Sequence, residues 1–253
     1  MEFAYVSSNV SVKTISETAT EGVFEIEGLY AGYGLTVGTA LRRALLSSLP
    51  GAAVTEIKIK NVPHEFSTLP GLKEDIVEFA LNFKKIYFRA HTDEPQVLAL
   101  KLKGETEITA GDIETNTDVE IVNPDIVLGH LTAKDAEIDV EVKVERGLGY
   151  VPVDARKPEG RLPIGTIAVD AIFTPVIKVN YTIEDMRVGD RTDYNRLRLE
   201  VTTNGTVSPS SALHKASSIL KDHFEKVGAV EVKEVEAPKE EGGTKKKATT
   251  KKK

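Results

Sequence analysis

Two long amphipathic helices, one near each end of the chain with strand-patterned sequence between them, set the tightest limit on how this chain can fold. The first lies in Gly34–Gly51. Val37, Ala40, Leu41, Ala44 and Leu45 recur at i, i+3, i+4, i+7 and i+8, which at about 100° per residue is one stripe. Thr36 is the predicted N-cap, because its hydroxyl can accept from a free first-turn N–H, and Pro50-Gly51 is the stop. The opposite side is not simply polar: Leu46 sits there between Arg42 and Arg43. Gly38, predicted inside the first turn, costs about 1 kcal/mol relative to Ala and marks close approach by another backbone. The helix therefore reads as having two partners, one apolar and one that meets an Arg-Leu-Arg face.

The second helix begins at Ser208-Pro209, an N-cap followed by proline at the first helical position, and is predicted to run to Val227 with Gly228 as its terminating residue. Leu213, Ala216, Leu220, Phe224 and Val227 form a narrow stripe that Ile219 widens. A narrow stripe suits a helix–helix seam.

Between them the period changes to two. Val54–Lys60 and Glu137–Val144 alternate cleanly, as half-buried strands do. Further strands are predicted at 9–15, 22–27, Ile86–Arg89, Val97–Leu102, Glu105–Thr109, Val119–Val122, Val176–Thr182 and Leu197–Thr203. The last is closed by the turn signal Asn204-Gly205. A third helix is placed at 72–83, with Glu74 and Asp75 in its first turn, and 147–165 reads as a Gly/Pro-rich loop. Strands near both ends can share one sheet. The expected class is α+β, with one subdomain from 1–50 and 170–230 and a β-rich subdomain, 51–169, inserted into it. Residues 231–253 read as a disordered, Lys-rich tail.

Chemistry is conspicuously missing. The 253 residues contain no cysteine, which excludes disulfides, Cys-zinc sites and thiol catalysis. The five histidines are scattered. Gly32-x-Gly34-x-x-x-Gly38 imitates a dinucleotide fingerprint, but the third glycine is one residue late and no βαβ pattern follows. Phosphate-loop, nucleophile-elbow and His-Glu-x-x-His motifs are absent, as is an Asp-x-Asp pair for two-metal chemistry. Glu137, Asp139 and Glu141 share a face that reads as solvated sheet. No catalytic residue, metal or cofactor is expected. The formal charge is −6, and without the six lysines of 245–253 it is −12; an acidic body is a poor nucleic-acid surface. No signal peptide or membrane span is read, so a cytoplasmic protein is expected. At this level a dimeric binding module, or a small-molecule enzyme of unusual design, stays open.

Leu35–Gly51 resembles the bacterial RNA polymerase alpha subunit. So do Val54-Thr55-Glu56-Ile57, His64-Glu65-Phe66-Ser67-Thr68, Glu74-Asp75-Ile76, Gly147–Pro152, Arg191-Thr192-Asp193 and Thr203-Asn204-Gly205-Thr206. The likeness runs in order over about residues 20–227. It implies a homodimer that scaffolds the beta and beta-prime catalytic subunits, with the discontinuous subdomain carrying the dimer contact. Together with the two stripes it places Val37, Leu41, Ala44, Leu45, Leu213, Ala216, Leu220 and Phe224 in the dimer interface. It gives Arg43, Leu46, His64 and Phe66 to the beta-subunit contact and Arg191, Thr192 and Asp193 to the beta-prime contact. DNA is expected to be met only through the assembled enzyme, or weakly by the Lys tail. The family usually continues into a small helical domain for promoter DNA and activators, which this sequence, ending at Lys253, does not include. The loop Ala155–Arg161 is basic, whereas some relatives carry an acidic activator-contact patch there.

Overall fold

A computed structural model describes residues 9–156, 163 and 165–230. The Lys-rich tail and most of the basic loop after Ala155 fall outside the described residues. In chain order, β1 (Ser11–Glu17) and β2 (Glu21–Leu29) form a hairpin, followed by α1 (Tyr33–Ser47), β3 (Pro50–Ile59) and α2 (Ile76–Phe83). Next come β4 (Phe88–Ala90), β5 (Gln96–Lys103), β6 (Thr106–Thr109), β7 (Ile113–Glu114), β8 (Val119–Ile121), β9 (Val127–Leu131) and β10 (Glu137–Leu148). The short strands β11 (Tyr150–Val151), β12 (Thr166–Ala168) and β13 (Ala171–Ile172) lead to the long hairpin β14 (Val176–Val188) and β15 (Arg191–Thr203), and α3 (Pro209–Gly228) closes the order. The α+β class is borne out.

Two main cores organise these elements. One belongs to a four-stranded antiparallel sheet of order β1-β2-β15-β14, so both ends of the chain build it. Phe24, Ile26, Leu197, Leu199 and Val201 point from this sheet into a core closed by Leu41, Ala44 and Leu45 of α1 and by Ala212 and Ala216 of α3. Full burial of each large apolar side chain stabilises by roughly 1.5–3 kcal/mol. The other sheet face is charged: Lys13 and Arg196 meet Glu27 at 2.6 and 3.2 Å, and Arg198 meets Glu25 at 3.7 Å. The Lys13 hydrogen bond comes first among the causes that hold the Glu27 carboxyl below its ordinary range.

The second core lies under a sheet of order β7-β5-β10-β3-β4-β8, with β12 also pairing β3. The clean alternation of β10 buries Ile138, Val140, Val142 and Val144. Its acids face cations: Glu137, Asp139 and Glu141 meet Lys103, Lys60 and Lys58 at 3.9, 4.0 and 3.1 Å. Helix α2 lays Ile76, Phe79, Ala80 and Phe83 on this core, and the rings of Phe79 and Phe83 meet edge to face at 5.1 Å. A small third cluster, Ala53, Ala171 and Phe173, sits where the chain passes between the two cores.

Several boundaries differ from the sequence reading, each for a local reason. Helix α1 starts at Tyr33 with Gly32 as N-cap at φ 83, so Thr36 lies inside it. Gly34 and Gly38 fit against side chains, Asn195 with Ile183 and Leu197 with Tyr181, and not against another backbone. Helix α2 begins at Ile76, because the Asp75 carboxylate caps Glu78 N at 2.6 Å and Leu72 is drawn into a bridge with Leu131. Gly228 ends inside α3, with Ala229 as C-cap. Strand β15 begins six residues before Leu197, so the triplet at 191–193 belongs to a strand.

Candidate functional site

The described residues hold no group of His, Asp and Glu able to hold a metal, and the glycine-rich entry to α1 is already occupied. Asn195 Oδ1 accepts from Gly32 N at 2.9 Å and Gly34 N at 3.3 Å, and Asn195 Nδ2 donates to Asp185 Oδ1 at 3.1 Å. Those N–H groups are the ones a phosphate would need. What the fold offers instead is surfaces.

Helix α1 supplies the first. Its stripe faces inward, and on the other side Arg42 and Arg43 are exposed while Leu46 is half-buried at the edge of the core. Among the described residues no carboxylate within 4.0 Å pairs with either arginine. Two exposed guanidinium forks beside an apolar side chain are suited to carboxylates and backbone carbonyls of a protein partner.

The residues assigned to a dimer interface divide into two groups. Leu41, Ala44, Leu45 and Ala216 are sealed in the protomer's own core; Leu41, for example, is 6% exposed. They close over the sheet of the same chain, so their burial is accounted for within the protomer without a second copy. Val37, Leu213 and Leu220 are half-buried. Phe224 is 65% exposed, and every residue from 221 to 230 is exposed. Tyr33, Leu35 and Val227 are also exposed apolar residues on these two helices. Tyr33 and Leu35 were legible only as apolar residues off the main stripe, at a helix start that the sequence reading placed too late.

His64 and Phe66 lie on the other side of the molecule's organisation, in the turn after β3. Ser67 holds the turn by donating its N–H and Oγ–H to His64 O at 3.1 and 2.7 Å. Phe66, 80% exposed, overhangs a groove of about 390 Å3 lined by Val77, Leu81, Ile167 and Val169. Arg43 and Leu46 are on α1 of the first core, whereas Phe66 belongs to the second. The four residues therefore make two patches on separate bodies.

Arg191, Thr192 and Asp193 stand exposed at the tip of the β14–β15 hairpin. Arg191 donates to Asp193 through Nε at 3.0 Å and Nη2 at 2.6 Å, and its guanidinium lies over the rings of Tyr30 at 4.8 Å and Tyr194 at 5.5 Å. The fork holds the Asp193 carboxyl below its ordinary range, and Asp193, then Tyr30, hold the guanidinium above its own. Arg191 and Asp193 thus form a bidentate salt bridge stacked on two tyrosine rings.

These features define a class: an α+β protein with two main cores, whose distinctive polar and aromatic side chains face outward and do not converge on a cavity. Comparison with known proteins specifies it. Residues 57–174 match the family described as the RNA polymerase Rpb3/RpoA insert domain. The chain is 51% identical over 216 residues to the DNA-directed RNA polymerase subunit alpha of Symbiobacterium thermophilum, covering 85% of this chain and 68% of that protein. It is 46% identical over 224 residues to the same subunit of Alkaliphilus oremlandii, covering 88% and 70%. With that of Desulfitobacterium hafniense it shares 51% over 201 residues, covering 79% and 63%. The chain belongs to the family of bacterial DNA-directed RNA polymerase alpha subunits, and it spans between 63% and 70% of the length of these three relatives.

Proposed function

We propose that this chain is a non-catalytic assembly subunit: a homodimer that holds the beta and beta-prime subunits together for DNA-templated transcription in the cytoplasm. The observation that carries the reading is the two-sidedness of α1. Its apolar stripe lies largely against the protomer's own core, and Arg42 and Arg43 stand exposed beside Leu46 on the outside, where the family likeness gives Arg43 and Leu46 to the beta contact. Phe66 and its groove extend that contact on the second core, and the stacked Arg191–Asp193 tip serves beta-prime. The exposed ends of α1 and α3 serve the second copy. Nucleotidyl transfer belongs to the large partners.

Reconstitution with the two large subunits tests this. Wild-type dimer should capture the beta subunit. Arg43→Ala should keep the dimer and lose capture, because truncating one member of a buried charged contact costs about 2–5 kcal/mol. Dissociation of the dimer with beta binding intact would reverse the assignment of faces. For the Lys tail we propose only sequence-independent attraction to DNA of the assembled enzyme. With all six lysines engaged, the log-affinity slope against log salt is at most about −5, and deleting 244–253 should weaken DNA binding at low salt alone. Equal affinity at low salt would leave the tail without that role.

A further inference from the structure

The chain passes between the two cores twice, at Leu49–Ala52 and at Phe173–Val176, and the two passages lie side by side. The backbone of Gly51 rests on the carbonyl oxygen of Phe173 with no room for a Cβ, and Phe173 N donates to Gly149 O at 2.8 Å. Two adjacent covalent crossings resist separation of the bodies but act as a hinge toward rotation. A third connection is not covalent. Arg89, on β4 of the second core, reaches the turn that precedes α3. Its Nε donates to Thr206 O at 3.1 Å and its Nη2 to Gly205 O at 2.9 Å. Its Nη1 donates to Glu120 Oε2 at 2.8 Å, and Glu120 is its cross-strand partner on β8.

The turn it grips is itself rigid. Gly205 has φ +85, Thr206 N and Oγ donate to Asn204 Oδ1 at 3.0 and 2.6 Å, and Asn204 N donates to Pro175 O at 2.9 Å. Ser208, two residues on, caps α3 by accepting from Ser211 N. A planar cation with three anchored nitrogens fixes an angle that a single bond would not.

We propose that Arg89 is a positioning residue: a latch that holds the inserted sheet at one angle to α1 and α3. Arg43 and Leu46 on one body and Phe66 on the other then meet a large subunit as one composite surface. The inference rests on the assembly reading for its purpose but not for its geometry.

Because the chain has no native cysteine, two can be introduced on exposed side chains. We choose Lys103→Cys on β5 of the second sheet, with its side chain 72% exposed, and Glu184→Cys on β14 of the first sheet, 62% exposed. Spin labels on the full chain, diluted with unlabelled chain so that only the distance within one protomer is read, should give a single narrow distance in the wild type. Arg89→Ala should broaden it, and Glu120→Gln should broaden it less. A distribution as narrow in Arg89→Ala as in the wild type overturns the latch. Should Arg89→Ala not fold, an unchanged width in Glu120→Gln overturns it. The second readout is capture of the beta subunit. Affinity scales with the fraction of protomers in the competent arrangement, so Arg89→Ala, dimeric and folded, should bind about tenfold or more weakly, the loss expected for removing a charged hydrogen bond. Broadening with unchanged capture overturns the positioning role. A wild type with narrow distances that captures no large subunit sinks the assembly reading and leaves the latch in place.

Discussion

At the scale of single residues, Asn195 does the work that sequence reading gave to Thr36. One carbonyl oxygen satisfies two orphan N–H groups at the start of α1, and it comes from 163 positions away along the chain relative to Gly32. Gly38 is legible as a point of close approach and the spacing 32, 34, 38 as an imperfect dinucleotide fingerprint, but the residue that satisfies Gly32 and Gly34 is not, because nothing local to Asn195 marks it as a cap. Its side chain is buried, so truncation leaves unpaired donors behind. Asn195→Ala is expected to lower stability by about 1–3 kcal/mol, read as an earlier urea midpoint with unchanged slope. Asn195→Asp keeps the acceptor that the helix dipole favours, yet it sets a carboxylate against Asp185, which now accepts from Nδ2 at 3.1 Å. It should therefore not restore stability at neutral pH, and full restoration would show that Asp185 plays no part in the cap.

At the scale of elements, the start of α2 shows how a tertiary contact overrides local preference. Glu74 and Asp75 read as first-turn acids of one helix, but Asp75 caps it while Glu74 leaves it to bind β9. Glu74 Oε1 lies 2.6 Å from His130 Nδ1 and Glu74 Oε2 accepts from His130 N at 2.8 Å. Burial pulls the Glu74 carboxyl up, and the hydrogen bonds from the His130 ring and backbone outweigh it, so its folded value lies below the ordinary one. A depressed carboxyl contributes stability that is present above the ordinary carboxylate range and is lost as pH falls through its folded value. Glu74→Gln should accordingly be less stable than wild type near pH 7, with the gap closing as the solution is acidified below about pH 4.5. A gap constant with pH would mean that charge is not what holds the strand. Elsewhere the same contrast decides legibility. Clean alternation made β10 readable in sequence. The stretches 184–188 and 191–196 are not, since they are charged on both faces and their strand setting lies in the cross-hairpin pairing, Glu184 opposite Arg196 and Asp185 opposite Asn195. The Arg191–Asp193 tip is part of the same ladder, so its strand setting was invisible for the same reason.

At the scale of the whole molecule, the question is which apolar surface a second copy could cover. The stripes of α1 and α3 are legible as periodic, but period alone does not say whether a stripe faces its own sheet or another chain. The sheet built from both chain ends takes Leu41, Ala44, Leu45 and Ala216, and leaves the far end of α3 bare, with Phe224 and Val227 exposed at 65% and 70%. Helix α3 therefore extends beyond the core that its first half helps to build, which fits a seam completed by a symmetry-related copy. This separates two substitutions that the sequence would have treated alike. Leu41→Asp buries an unpaired carboxylate within the protomer and should unfold it, at a cost of several kcal/mol. Phe224→Asp sits on exposed helix and should leave the protomer's own fold within about 0.5 kcal/mol, while placing a charge in the proposed dimer seam. Light scattering after gel filtration, paired with circular dichroism, should find Leu41→Asp unfolded or aggregated and Phe224→Asp folded and monomeric at micromolar concentration. A Phe224→Asp chain that stays dimeric would move the seam off this end of α3, and a Leu41→Asp chain that is folded but monomeric would return the buried stripe to the interface.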